Sequence, residues 1–435
     1  MHDPHPPQPG PHPPAKELDE PFAALGRYDL TIPPSIRFGW GRLRELAEVI
    51  AALGRRAVFV VGRKSFPESG AEAVVAEILP QAGLAWEVVA LSSSEPTVAD
   101  TAAAASELAA RDLHGAVVVA VGGGATIDLA KAAAALAANV DAADPPQDRD
   151  AWEAFVVDHL EGVGRGLPIR RPPPPLVAVP TTAGTGAEAT RNAVISCPRR
   201  GFKKSLRSPL MVPQAVLVDP QLTLSSPACV AAASGLDAIT QLVESFVSRR
   251  ATPVTRAIAQ STLADALRAL PVVVAAAATP EAGRAVSEAE QAAREAMSHA
   301  ALLSGIALAN SGLGMAHGVA AALGIACGAS HGEACAVMLP ASIRVNLKQA
   351  ACDYATLERL MGGNAPQDDL AAATRFLDRI ERLCDVVGGP RRLSALGVEP
   401  SMIAWLAENS GGNSMRGNPV EMTAESLTPV LEAML

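Results

Sequence analysis

The chain has 435 residues, of which 49% are apolar but only 3% aromatic, and its formal net charge at pH 7 is −9. This length suits two domains of about 100–200 residues each, and cores rich in alanine favour packed helices and buried parallel strands over a β-sandwich. The acidic balance excludes a general binder of nucleic acid or anionic membranes, since both functions need a basic surface.

Residues 1–20 are rich in proline and histidine and lack apolar periodicity, so we expect a disordered tail. No secretory signal is visible, and no apolar run reaches the roughly 18 residues of a membrane span. The six cysteines show no CxxC spacing, which favours reduced and mostly buried thiols. These features predict a cytoplasmic protein without a membrane partner.

Short apolar strands alternate with helices from residue 21 to residue 218. Strands are predicted over 57–61, 86–91, 116–121 and 176–179, and helices over 42–53, 70–79, 97–111 and 127–138. This alternation is typical of crossover units and predicts an α/β domain with a parallel sheet. The stretch 141–175 ends in four prolines and is predicted to be an irregular surface excursion.

The strand pattern stops at residue 219, and residues 219–435 are predicted to form an all-α domain. Helices are predicted over 236–248, 255–270, 287–308 and 368–387. A last helix is predicted over 428–435, with Thr428 as its N-cap and Pro429 as its first residue.

Two glycine-containing segments follow predicted strands. In the first, Gly122, Gly123 and Gly124 precede a helix whose unpaired N–H groups and dipole would favour an anion. The segment matches neither GxGxxG nor GxxxxGK[ST], and a tight turn alone would explain one of its glycines but not three. The second, PTTAGTGAEAT over 180–190, brings hydroxyls to the carboxyl edge of the sheet, where ligands bind, although an ordinary capped helix start explains it equally well.

A third set of residues could bind a metal. Asp237 and Gln241 are four residues apart and therefore share one face of a helix. His317 and His331 lie in one glycine-rich segment, and two imidazoles with a carboxylate suit Zn²⁺ or Fe²⁺. The spacing alone does not bring these residues together.

Taken in order, these segments resemble the iron-dependent (group III) alcohol dehydrogenases, which have a dehydroquinate-synthase-like fold. The resemblance is carried by GGGATIDLAK at 122–131, PTTAGTGAEAT at 180–190, DPQLTLSSP at 219–227, SGLDAITQLVESF at 234–246, the histidine segment at 316–340 and MRGNP at 415–419. It implies hydride transfer between NAD or NADP and a small aldehyde or alcohol, in a cleft between the two domains. It also implies a homo-oligomer.

The resemblance further implies which residues bind the dinucleotide. These are Gly62, Gly122, Gly123, Gly124, Ala125, Thr126, Asp128, Thr181, Thr182, Thr185 and Lys203. At the end of the first predicted strand the chain has Gly62, followed by Arg63 and Lys64, where an acidic residue would repel a 2′-phosphate. Two cations and no carboxylate predict a preference for NADP, unless both side chains simply belong to a solvated loop.

Family members usually bind the metal through an Asp, a His four residues later and two further His. This chain matches with Asp237, His317 and His331, but it has Gln241 at the second position, and an amide oxygen is a poorer ligand than imidazole. A histidine implicated in proton relay in the family is Ala321 here. We expect Fe or Zn to bind through these four residues, with His317 and His331 catalytic and the proton passing through water or ribose hydroxyls.

Three alternatives stay open at this stage. The site could be free of metal, with the two histidines hydrogen-bonding a carbonyl, as in the related maleylacetate reductases. The chain could bind nucleotide without turnover. It could also catalyse a redox-neutral cyclisation, as dehydroquinate synthase does.

Overall fold

The computed structural model describes residues 27–92, 95–141, 143–279 and 285–435. The predicted tail over residues 1–20 lies outside the described residues. Within the described part, strands and helices alternate up to Val218, and only helices and loops follow.

A parallel sheet forms the centre of the first half. The described strands are β1 (Ser35–Phe38), β2 (Arg56–Gly62), β3 (Ala85–Ser92), β4 (Ala116–Gly122), β5 (Leu176–Pro180), β6 (Asn192–Cys197), β7 (Phe202–Arg207) and β8 (Ala215–Val218). Six of them pair in parallel in the order β1-β8-β5-β4-β2-β3, whereas β6 and β7 form a separate antiparallel hairpin. The predicted parallel sheet is confirmed, and the four predicted strands lie within β2, β3, β4 and β5.

Helices cover both faces of this sheet. They are α1 (Leu46–Leu53), α2 (Ser65–Glu68), α3 (Ala71–Gln81), α4 (Val98–Ala109), α5 (Gly124–Asn139) and α6 (Arg149–His159). Because successive strand residues point to opposite faces, Val118 and Ala120 pack in one core with α4, α5 and α6. Val117 and Val119 pack in the other core with α1, α2 and α3. Burial on both faces explains the continuous apolar runs of the central strands.

The sequence prediction was wrong for the stretch 141–175, which contains α6. Asp148 caps this helix by accepting a hydrogen bond from the Ala151 amide. Trp152 and Val156, both on the helix, are buried. The prolines that suggested an irregular stretch follow the helix instead. The hairpin of β6 and β7 was not predicted, because FKKSLR in β7 is too polar to be recognised as a strand.

The second half of the described chain is helical, as predicted. Its helices are α7 (Ala228–Val247), α8 (Pro253–Ala278), α9 (Glu288–Ser311), α10 (Met315–Ala326), α11 (His331–Asn346), α12 (Ala351–Leu360), α13 (Asp369–Val386), α14 (Ile403–Asn409) and α15 (Ala424–Glu432). The start predicted for the last helix was wrong. Thr423 caps α15 through the Ser426 amide, whereas Thr428 lies inside the helix and donates to the Ala424 carbonyl.

Two further features bear on the expected compartment. Among the described residues, α8 alone has the length and mean hydropathy (1.4) of a candidate membrane span, and α9 with α10 passes the same test only as a pair bent by 101°. α8 packs against α7 and α9 through Leu263 and Leu270. All six cysteines are free, but only Cys197, Cys335 and Cys384 are buried, so the expectation of mostly buried thiols holds for half of them.

The two halves of the chain make a close backbone contact at a pair of glycines. Gly186, in the loop after β5, has φ +60°, and a Cβ at this position would lie 2.4 Å from the Cα of Gly305 in α9. A Cβ at Gly305 would in turn lie 2.2 Å from the Gly186 carbonyl oxygen. This backbone contact holds the loop after β5 against the helical half.

Candidate active site

The turn between β4 and α5 is built for close backbone approach. Gly122 ends β4, Gly123 is the N-cap of α5 and Gly124 is its first residue. A Cβ at Gly122 would lie 2.4 Å from Thr126 Oγ1, and one at Gly124 would lie 2.2 Å from Thr185 Oγ1. The first amides of α5 have no partner within the helix, and no acidic residue lies in its first turn. The turn therefore suits an anion.

The threonine segment lies directly against this turn. The Thr181 amide donates to the Gly122 carbonyl at 3.0 Å. Thr182 Oγ1 would lie 3.3 Å from a Cβ at Gly123, and Thr185 contacts the next glycine. The structure thus brings together the two glycine-containing segments, which follow different strands of the sheet.

Two charged side chains of α5 hydrogen-bond to the β6–β7 hairpin and to the loop that precedes it. Asp128 accepts from the Val194 amide at 2.9 Å, and its other oxygen lies 3.0 Å from Lys131 Nζ. Lys131 is fully buried and donates to the Ala187 carbonyl and to Thr190 Oγ1. Sequence analysis missed this lysine, although it follows Asp128 by three residues in an alanine-rich helix. Asp128 lines the cleft, but its carboxylate already has protein partners.

A cleft of about 930 Å³ separates the two halves. Of the residues predicted to bind the dinucleotide, its lining contains Gly124, Ala125, Asp128, Thr185 and Lys203; Gly62, Gly122, Gly123, Thr126, Thr181 and Thr182 are not part of that surface. Lys203, on β7, forms an ion pair with Glu95 at 2.7 Å.

Cations line much of this cleft. Four of them have no carboxylate partner among the described residues, namely Arg191, Lys204, Arg250 and Arg416. Unpaired cations concentrate positive potential, which favours the phosphates of a dinucleotide.

Four possible metal ligands meet where α7, α10 and α11 converge. Within the described residues, donor atoms of Asp237, His317, His331 and Cys335 all lie within 4.8 Å of one another. Asp237 Oδ1 is 3.2 Å from His317 Nε2 and 3.8 Å from His331 Nε2, and Cys335 Sγ is 3.8 Å from the latter atom. Three of the four are predicted ligands. Sequence analysis missed Cys335, although its position four residues after His331 places both side chains on one helix face.

Gln241 lies one turn after Asp237 on α7 and lines the cleft. Its amide oxygen accepts a hydrogen bond of 2.6 Å from Ser304 Oγ on α9. The oxygen that was predicted to be the fourth ligand is therefore engaged with a neighbouring helix.

Glu244, which sequence analysis also missed, orients His317. Its buried carboxylate accepts from His317 Nδ1 at 2.7 Å and from the amides of Gly314 and Ala316 at 3.0 and 2.7 Å. Because Nδ1–H donates to this carboxylate, the Nε2 lone pair of a neutral ring is directed towards Asp237 and the cluster. The spacing of seven residues from Asp237, two helical turns, could have suggested this role.

The electrostatics of the cluster favour bound positive charge. Burial alone would raise the pKa of Asp237, but its histidine neighbours and Cys335 outweigh burial and lower it to about 2. Burial lowers the pKa of His331 to about 4 and raises the pKa of the Cys335 thiol to about 12. Asp237 Oδ2 is buried without a hydrogen-bond partner. A carboxylate with an unpartnered oxygen, two imidazoles and a thiol are donors that fit Zn²⁺ or Fe²⁺.

Comparison with known proteins identifies the family of this chain. Residues 33–220 match the iron-containing alcohol dehydrogenase family, and residues 231–435 match the C-terminal domain of the Fe-containing alcohol dehydrogenase family. The chain belongs to the iron-containing alcohol dehydrogenase family. The resemblance inferred from the sequence is thereby confirmed, and the chain is an NAD(P)-dependent oxidoreductase.

Relatives in this family align over nearly the whole chain. The 1,3-propanediol dehydrogenase of Klebsiella pneumoniae is 30% identical over 406 residues, covering 91% of this chain and 97% of that protein. The NAD-dependent methanol dehydrogenase of Bacillus methanolicus is 29% identical, covering 93% and 99%. A crystal structure of 1,3-propanediol oxidoreductase superimposes with a TM-score of 0.81 at 30% identity, covering 94% of this chain and all of that one. The sequence matches and the structural superposition therefore both extend over the two halves of the chain.

Proposed function

We propose that this enzyme interconverts a small aldehyde and its alcohol in the cleft, with a divalent metal bound by Asp237, His317 and His331. The observation that carries the proposal is that Asp237 meets His317 and His331, and that both histidines line the same cleft as the first residues of α5. When bound, the metal supplies Lewis acidity to the reacting oxygen and the dinucleotide supplies or accepts hydride.

The chain's own residues bind and orient the reactants. The amides at the start of α5 bind the pyrophosphate, with Thr185 beside the nicotinamide half and Lys203 across the cleft. Glu244 keeps His317 in the tautomer whose Nε2 is directed towards the cluster. Ala321 lines the cleft and cannot transfer a proton, so the proton moves through water or a ribose hydroxyl.

The direct test is oxidation of NADPH and NADH with a panel of short-chain aldehydes, before and after chelation. We expect turnover that the chelator abolishes and that Zn²⁺ or Fe²⁺ restores. Turnover indifferent to metal would transfer the chemistry to His317 and His331 alone, as in the maleylacetate-reductase alternative. Dinucleotide binding without any net change in NAD(P)H absorbance would favour the binding-only or redox-neutral alternatives.

The cofactor preference depends on the end of β2. Arg63 and Lys64 directly follow Gly62, are exposed and have no carboxylate partner among the described residues. Two cations would attract a 2′-phosphate, so we expect NADPH to bind at least about tenfold more tightly than NADH, which corresponds to about 1.4 kcal/mol. A variant with both cations changed to alanine should lose this preference, whereas Arg55→Ala, before the start of β2, should keep it. Tighter NADH binding to the wild type would contradict the preference.

We further propose a cytoplasmic enzyme that acts as a homo-oligomer, with no nucleic-acid or membrane partner. The net charge of −9 supports the absence of a basic binding surface. Size-exclusion chromatography with light scattering would measure the oligomeric state, and a monomer at working concentration would contradict this part of the proposal.

A further inference from the structure

We propose that Cys335 is the fourth metal ligand of this enzyme, through its thiolate, and that this sulfur makes the site selective for Zn²⁺ over Fe²⁺. The inference rests on the proposed metal site and assigns the position that Gln241 leaves open. It concerns which atom completes the donor set, so it is tested by metal binding and does not require turnover.

The spacing of the donor atoms resembles that around a tetrahedral metal ion. Around a tetrahedral Zn²⁺, ligand bond lengths require about 3.3 Å between nitrogen and oxygen donors and about 3.6 Å between nitrogen and sulfur donors. The corresponding distances are 3.2 and 3.8 Å from Asp237 Oδ1 to the two imidazoles, and 3.8 Å from His331 Nε2 to Cys335 Sγ. Three of the six donor separations thus match a tetrahedral site to within about half an ångström, and all six lie within 4.8 Å.

The neighbouring groups leave one carboxylate oxygen of Asp237 without a hydrogen bond. This side chain is only 1% exposed, and its Oδ2 has no hydrogen-bond partner. An unpaired carboxylate oxygen in such a position is costly unless a cation or a donor faces it. The amide oxygen of Gln241, by contrast, accepts the Ser304 hydroxyl at 2.6 Å, and its side chain is held towards α9.

Helix geometry makes Cys335 available in place of Gln241. His331 is the first residue of α11 and Cys335 lies one turn later, so a single rigid helix presents an imidazole and a sulfur to the same point. A buried cysteine is usually a small apolar core residue, but this one has Sγ among three polar donors. The loss of one imidazole on α7 is therefore compensated by a sulfur on α11.

The chemistry of sulfur determines the metal preference. Metal binding displaces the thiol proton to solvent and leaves a thiolate, a soft ligand that suits Zn²⁺, whereas Fe²⁺ sites in enzymes of this kind use imidazole and carboxylate. Four protein ligands still permit substrate to bind, because Zn²⁺ can expand to five-coordination. His331, which is 28% exposed, marks the side of the cluster that is open to the cleft.

The experiment is Co²⁺ and Zn²⁺ titration of the chelated full-length protein, without dinucleotide or substrate. Wild type, Cys335→Ser and Cys327→Ser are compared, the last as a control because Cys327 is a free and partly buried thiol that donates to the Leu323 carbonyl outside the cluster. Wild type and Cys327→Ser should show near-ultraviolet sulfur-to-cobalt charge-transfer absorption. Cys335→Ser should lack this band and bind Zn²⁺ at least about 100-fold more weakly.

The proposal is overturned if the Co²⁺ protein has no charge-transfer band, or if Cys335→Ser keeps the band or its Zn²⁺ affinity. Absence of the band in the wild type overturns the proposal even if the variant does not fold. Competition with equimolar Zn²⁺ and Fe²⁺ under anaerobic conditions should give a Zn:Fe ratio that falls at least about tenfold in Cys335→Ser, and an unchanged ratio contradicts the selectivity. A wild-type enzyme that reduces aldehydes but lacks the band would refute only the role of Cys335. A band without turnover would instead refute the proposed function.

Discussion

Replacing His331 with alanine is expected to lower turnover of a small aldehyde at least about 100-fold while changing the dinucleotide dissociation constant less than about twofold. His331 Nε2 lies 3.8 Å from Asp237 Oδ1 at the side of the cluster that is open to the cleft. The dinucleotide, in contrast, is expected to bind at the turn that starts α5. Steady-state kinetics and a separate fluorescence titration of the cofactor would measure the two effects.

His299→Ala is a matched control for this experiment. His299 lies on α9, where its ring packs against Phe38 with the centroids 5.4 Å apart, and it does not line the cleft. The control should retain turnover. Unchanged turnover in His331→Ala would remove this histidine from the chemistry, and measuring the zinc content of the variant would show whether activity and metal are lost together.

Patterns local in sequence predicted much of this molecule. Buried strands such as 116–121 are continuous apolar runs, and the glycines at 122–124 mark a strand-to-helix turn whatever the rest of the fold does. The same is true of the alanine-rich helices, whose existence was correct even where α8 proved longer than its predicted span. Elements that depend on partners were missed. The polar β7 is a strand because β6 pairs with it, and α6 is held by burial of Trp152.

The candidate site, too, was predicted only where the pattern is local in sequence. Asp237, His317 and His331 could be selected because their sequence contexts resemble a family, but spacing could not show which fourth side chain reaches them. Cys335 reaches the cluster only because α11 packs against both α7 and α10, and that packing is set by residues far apart in the chain. Tertiary structure, rather than a longer motif, therefore decides between a glutamine and a cysteine as ligand.

Glu244→Gln is expected to weaken Zn²⁺ binding about 10- to 100-fold and to lower the free energy of unfolding by about 3 kcal/mol. The carboxylate of Glu244 accepts from His317 Nδ1, from two backbone amides at the start of α10 and from Ser342 Oγ, and all of these groups are donors. An amide of the same shape offers one acceptor oxygen and, in either orientation, turns its NH₂ group towards a backbone N–H that cannot accept. The histidine then loses the hydrogen bond that fixes its tautomer.

Glu358→Gln separates the two effects. Glu358 is also fully buried, but it pairs with Arg375 and Arg379 on α13, away from the cluster. Both variants should lower the midpoint of chemical denaturation, since Glu244→Gln leaves buried donors without a carboxylate and Glu358→Gln removes the charge that pairs with two arginines. Only Glu244→Gln should alter the Zn²⁺ dissociation constant, because only this carboxylate touches a proposed ligand. Equal Zn²⁺ affinity in the two variants would mean that His317 is oriented by the packing of α10 alone.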